Sequence, residues 1–132
     1  GDLEVNGKKS SGIYNTGTTT IEVGTNPTDK TNIIATNGAT AIFSKGNGSS
    51  ITSNAGNKLN INVNAGTTKE GLAVYAEDKS QVSLQNANIT VKGGAAGVAS
   101  YGAGTNVDLT GSSLKYDGNG YAAYSNSQGK KI

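Results

Sequence analysis

A triplet of small, aliphatic and aromatic residues recurs along the chain as Gly12-Ile13-Tyr14, Ala41-Ile42-Phe43, Ala73-Val74-Tyr75 and Ala122-Ala123-Tyr124, with a worn copy at Gly97-Val98-Ala99. Measured at the third position, the steps between copies are 29, 32, 24 and 25 residues. Such a period marks a solenoid, in which each repeat is one supersecondary unit that buries its apolar side only against its neighbours.

Each cycle contains two further alternating segments. The first follows the aromatic position after a polar turn: Ile21-Glu22-Val23, Ile51-Thr52-Ser53, Val82-Ser83-Leu84 and Val107-Asp108-Leu109. The second reads Ile33-Ile34-Ala35, Ile61-Asn62-Val63, Ile89-Thr90-Val91 and Leu114-Lys115-Tyr116. Alternation of period two gives a strand one dry face and one wet face. With the triplet, a cycle holds three short strands joined by turns too short for a helix. The expectation is an all-β, right-handed parallel β-helix (β-solenoid) of about four to five rungs, a single domain over residues 1–132. The hand follows from the period, because left-handed β-helices run on hexapeptides and would repeat near 18 residues, about three hexapeptides. Composition agrees: with 33% hydrophobic residues and 20 glycines, the chain suits a thin, elongated core better than a wide globular one. Where the period swells, the excess falls in polar connections at 24–31, 54–58 and 66–71.

Stacking like positions predicts the core. One column is Ile21, Ile51, Val82 and Val107; a second is Ile33, Ile61, Ile89 and Leu114; a third is Ile13, Ile42, Val74, Val98 and Ala123. Asn32, Asn60, Asn88 and Ser113 share a column in the turn before the second strand, where side-chain amides can form a hydrogen-bonded ladder. Glu22 and Asp108 fall in one outward column, with Thr52 and Ser83 between them.

The composition narrows function. Cysteine, methionine, tryptophan, histidine and arginine are all absent, which removes disulfides, thiol chemistry and imidazole bases or ligands. No metal site and no cofactor is expected. The formal charge of +2 comes from scattered lysines without clustered arginines or interleaved aromatics, so nucleic acid is a poor partner. No run approaches the roughly 18 apolar residues of a membrane span. Cysteine avoidance in a chain rich in Asn, Thr, Ser and Gly suits an exported protein, and the first residues lack the layout of a signal peptide.

The triplets, the Thr/Asn/Ser-rich turns and phrases such as Ala87-Asn88-Ile89-Thr90-Val91 resemble the repeats of autotransporter passenger domains, the β-helical surface stalks of Gram-negative bacteria. The resemblance covers nearly the whole chain. It implies export to the outer membrane, extracellular display, and a role in adhesion, aggregation or display. The implied partners are a host cell-surface protein or glycan, or further copies of the chain. A full-length passenger protein would carry a signal peptide and a C-terminal membrane barrel, the sole route by which the chain would engage a membrane. Leu3-Glu4-Val5 matches the last strand of a rung, and Ile132 falls where a middle strand would begin. The expectation is therefore a fragment of a longer passenger, its open ends prone to end-to-end association.

Two sets of residues are candidates for recognition. The aromatic column Tyr14, Phe43, Tyr75 and Tyr124 can stack on sugars or bury against a protein. Strict alternation forbids the aliphatic and aromatic members of a triplet from both pointing inward. With the aliphatic residue in the core, the aromatics lie outside or at a bend, where a ladder of rings also stabilises neighbouring rungs. The second set is two loops, one with Asn26, Pro27 and Asp29 and one with Lys69 and Glu70, which project from different corners. The chain is expected to be non-catalytic. The alternative is a β-helical polysaccharide-degrading enzyme or lyase, whose acid/base pair needs carboxylates within about 5 to 9.5 Å. Asp117-Gly118-Asn119-Gly120 is read as a glycine-rich turn, because it lacks the later bidentate acid of a calcium loop.

Overall fold

A computed structural model describes residues 1–126. It is all-β, with fourteen strands and no helix among the described residues. In chain order they are Asp2–Asn6 (β1), Ser11–Asn15 (β2), Thr18–Ile21 (β3), Thr31–Thr36 (β4), Thr40–Lys45 (β5), Ser50–Ser53 (β6) and Leu59–Asn64 (β7). There follow Val74–Glu77 (β8), Gln81–Ser83 (β9), Ala87–Lys92 (β10), Ala96–Tyr101 (β11), Asn106–Asp108 (β12), Ser113–Asp117 (β13) and Tyr121–Asn126 (β14). Every third strand is a neighbour. The first wall is β1-β4-β7-β10-β13, the second β2-β5-β8-β11-β14, and the third β3-β6-β9-β12. All pairings are parallel. The chain is thus a β-solenoid of about four turns with three strands per rung.

Two of the three predicted columns hold throughout. On the first wall Leu3, Ile33, Ile61, Ile89 and Leu114 are in register. On the second, Ile13, Ile42, Val74, Val98 and Ala123 are in register. The inner members Ile33, Ile61, Ile89, Ile42, Val74 and Val98 are buried. Each fully buried aliphatic chain contributes roughly 1.5–3 kcal/mol, but only because the rungs above and below cover it. The small first residue of the triplet has a steric reason. A Cβ added to Gly12 would come within 2.7 Å of the Ala41 carbonyl oxygen, and one added to Gly97 within 2.7 Å of that of Ala122.

The third column needs correction. Ile51, Val82 and Val107 stack as predicted, but their partner on β3 is Thr19, and Ile21 lies opposite Ser53. The corner leading into β3 is only Thr16-Gly17 long, whereas the next one runs from Gly46 to Ser49. The first strand therefore begins early and presents Thr19 inward, its hydroxyl donating to Asn15 Oδ1 at 2.7 Å. Glu22 consequently does not share a column with Asp108. The outward column is Thr20, Thr52, Ser83 and Asp108.

The asparagine ladder exists, but on the strands and not in a turn. Asn32, Asn60, Asn88 and Ser113 are the outward residues near the starts of β4, β7, β10 and β13. Asn32 Nδ2 donates to Asp2 Oδ1 at 2.7 Å, Asn60 Nδ2 to Asn32 Oδ1 at 3.1 Å, and Ser113 Oγ to Asn88 Oδ1 at 2.9 Å. Leu3-Glu4-Val5 does lie in a first-wall strand paired with β4, while Ile132 lies outside the described residues.

Candidate functional site

The second wall settles the direction of the aromatic column. Tyr14, Phe43, Ala99 and Tyr124 are in register with Tyr75 or with one another. Tyr14 is 59% exposed, and Phe43, Tyr75 and Tyr124 are half-buried. The aliphatic neighbours point into the core and the rings point out.

The column is also longer than the triplets suggest. Ring centroids run from Tyr14 to Phe43 at 5.0 Å, Phe43 to Tyr75 at 4.8 Å, Tyr75 to Tyr101 at 5.2 Å and Tyr101 to Tyr124 at 5.5 Å. Tyr121 closes the series 5.7 Å from Tyr124. Six of the seven aromatic residues of the chain therefore form one continuous ladder. Tyr101 stands in for the missing ring at Ala99. It lies two positions further along β11, opposite Glu77, and so on the same outward face. The signal was present in the worn triplet, whose aromatic is displaced by one inward–outward pair.

Rung spacing dictates how the rings stand. Parallel strands lie about 4.8 Å apart, less than the width of an aromatic ring, so rings in successive rungs cannot lie flat side by side. Successive rings meet at interplanar angles from 25° between Tyr75 and Tyr101, a stacked pair, to 79° between Tyr14 and Phe43, an edge-to-face pair. Each such contact is worth about 0.5–1.5 kcal/mol beyond area burial.

Tyr75 is anchored at its tip. Its hydroxyl donates to Glu77 Oε2 at 3.1 Å, and Glu77 pairs with Lys45 at 3.7 Å. Partial burial, and secondarily the carboxylate of Glu77, push the Tyr75 phenol up to about 12. Burial raises Tyr101 as well, with a smaller contribution from Tyr124. Both phenols keep their protons at neutral pH.

Beneath the bend from second to third wall runs a polar seam that the hydrophobic pattern did not reveal. Ser44, Ser49, Ser80, Ser100 and Thr105 are buried there together with Asn15. Ser80 Oγ lies 2.5 Å from Ser44 Oγ and accepts from Ser49 Oγ at 2.9 Å. Asn15 Nδ2 reaches Ser44 Oγ at 3.0 Å and the Ser50 carbonyl at 3.0 Å. Thr105 Oγ1 accepts the Lys79 N–H at 2.8 Å. Hydroxyls suit this corner because they satisfy turn backbone and one another where the side chains are buried. Their signal was a Ser or Thr two residues before the inward aliphatic, as in Ser49-Ser50-Ile51, Ser80-Gln81-Val82 and Thr105-Asn106-Val107.

The two candidate loops have different fates. Asn26, Pro27 and Asp29 lie at the corner from third to first wall, where Asn57 Nδ2 of the next rung binds the carbonyls of Asn26 and Asp29. That loop is stapled to the 54–58 connection and lies away from the rings. Lys69 and Glu70 lie at the corner from first to second wall, directly beside the ladder. Together with Phe43 and Tyr75 they line a groove of about 410 Å³. Among the described residues no three carboxylates converge on a metal-sized site. Asp108 binds the N–H and hydroxyl of Thr110 at 2.9 and 2.5 Å, which stabilises the turn after β12. No protein-family model, curated protein or solved structure matches this chain.

Proposed function

We propose that this solenoid is a non-catalytic adhesive stalk segment, displayed on a bacterial surface in the manner of an autotransporter passenger. The observation that carries the adhesive part is the outward aromatic ladder. Six rings on one wall give a stripe of apolar rings with phenolic hydroxyls, the composition that protein recognition surfaces favour. The stalk part rests on architecture: a rung contacts only its neighbours, so length grows without redesign of the core. Surface display and outer-membrane anchoring rest on the likeness of the rung phrases and polar turns to passenger repeats.

Beads coated with the full chain test adhesion against immobilised cell-surface glycans and proteins. Retention above that of albumin-coated beads, reduced by Tyr14→Ala plus Tyr121→Ala at the two exposed ends of the ladder, is the expected result. Retention equal to albumin for every surface would reduce the role to scaffolding. Antibody labelling of intact source cells tests display, and labelling that appears only after lysis would refute it.

A further inference from the structure

The groove beside the ladder continues into a second one. The first is lined by Lys9, Lys69, Thr40, Phe43 and Tyr75 among others, the second by Lys9, Ser11, Tyr14, Phe43 and Lys45. They share Lys9, Ser11 and Phe43, so they form one shallow trough along three rungs, about 10 Å long at about 4.8 Å per rung. Their volumes of about 410 and 470 Å³ fall within the range of small-molecule sites, roughly 300–1,000 Å³.

The charge around the trough is unbalanced. Glu70 is met by Lys8 at 3.9 Å and Glu77 by Lys45 at 3.7 Å. Lys9 and Lys69 have no ion-pair partner among the described residues and are exposed. Four lysines against two glutamates leave two positive charges facing one trough. Between them lie Ser10, Ser11 and Thr40 and the rings of Tyr14, Phe43 and Tyr75.

We infer that this trough binds an acidic oligosaccharide, a chain of sugars bearing carboxylates. The chemistry matches part by part. A uronate offers its carboxylate to Lys9 or Lys69, ring hydroxyls to Ser11 and Thr40, and C–H edges to Phe43 and Tyr75. An acidic peptide is a poorer match, because tight peptide recognition relies on a desolvated pocket for an anchoring side chain and the trough is open along its length. The inference deepens the adhesive reading and rests on it.

The test is a solution titration of the full chain with tri-galacturonate and with its neutral galactose counterpart, followed by amide NMR shifts. Binding of the acidic trisaccharide with shifts at Lys9, Ser11, Thr40 and Lys69 is expected. The neutral sugar should bind roughly tenfold more weakly or worse, and binding should weaken with added salt. Lys9→Gln with Lys69→Gln should lower affinity about tenfold with an unchanged fold, while Lys92→Gln with Lys115→Gln on the first wall should not. Equal binding of both sugars, shifts confined to another wall, equally tight binding of tri-glutamate, or no binding would each overturn the inference. None of these outcomes touches the adhesive reading, which the bead assay decides independently with neutral glycans and proteins included.

Discussion

If the ladder is a coupled structural element as well as a surface, Tyr75→Ala should cost far more stability than Tyr14→Ala. Tyr75 has ring neighbours on both sides, Phe43 at 4.8 Å and Tyr101 at 5.2 Å, and is half-buried. Tyr14 has one neighbour at 5.0 Å and is 59% exposed. At about 0.5–1.5 kcal/mol per ring contact, the lost pairs alone come to about 1–3 kcal/mol for Tyr75, against about 0.5–1.5 for Tyr14. The buried part of the ring and the bond to Glu77 bring the Tyr75 figure to about 3 kcal/mol. For a chain of this size about 4 °C of melting temperature corresponds to 1 kcal/mol, so losses of about 12 °C and about 4 °C are expected by circular dichroism. Tyr75→Phe, which keeps the ring, should lose only the hydroxyl's share, about 0.5–1.5 kcal/mol. A Phe43/Tyr75 double-mutant cycle should return a coupling near one ring contact. Equal losses for the two alanine variants, or a Tyr75→Ala loss below about 1 kcal/mol, would show that the rings do not act together and that the ladder is only a coat.

Three further outcomes follow from particular contacts. Ser80→Ala removes the hydroxyl shared by Ser44 and Ser49 in the buried seam, and an unmet buried partner costs about 1–3 kcal/mol, readable as a lower urea midpoint; Thr20→Ala on the outer face should change it little. Gly97→Ala forces a Cβ to within 2.7 Å of the Ala122 carbonyl oxygen and should destabilise by about 1–3 kcal/mol, whereas Gly17→Ala, with nothing within 4 Å, should be near neutral. Stability should also fall in alkali: the Tyr75 phenol, raised from 10 to about 12, holds its proton where the unfolded chain has lost it. Its contribution is complete below pH 10 and is lost as pH rises through 12. Screening of this partly exposed group keeps the effect under about 1 kcal/mol. Tyr75→Phe should flatten that limb of the pH–stability curve, and an unchanged slope would remove Tyr75 as its source.

Period and alternation belong to the sequence by itself. The recurring triplet and the two alternating segments determined a three-walled solenoid, named the columns of Ile33, Ile61 and Ile89 and of Ile42, Val74 and Val98, and barred the aliphatic and aromatic members of a triplet from both entering the core. These properties are local, because successive side chains on a strand must point to opposite faces. Only the tertiary structure decided how many residues each corner takes. Alternation says nothing about the length of a turn, so the short corner after Asn15 moved Thr19 into the core column in place of Ile21 and separated Glu22 from Asp108. It also decided that the rings of Tyr14, Phe43, Tyr75 and Tyr124 face outward, that Tyr101 fills the gap at Ala99, that buried hydroxyls seam one bend, and that Lys69 comes beside Lys9 and Phe43 across rungs. Lys9 and Phe43 lie 60 and 26 residues from Lys69 along the chain, and only the coiling of the chain brings them together.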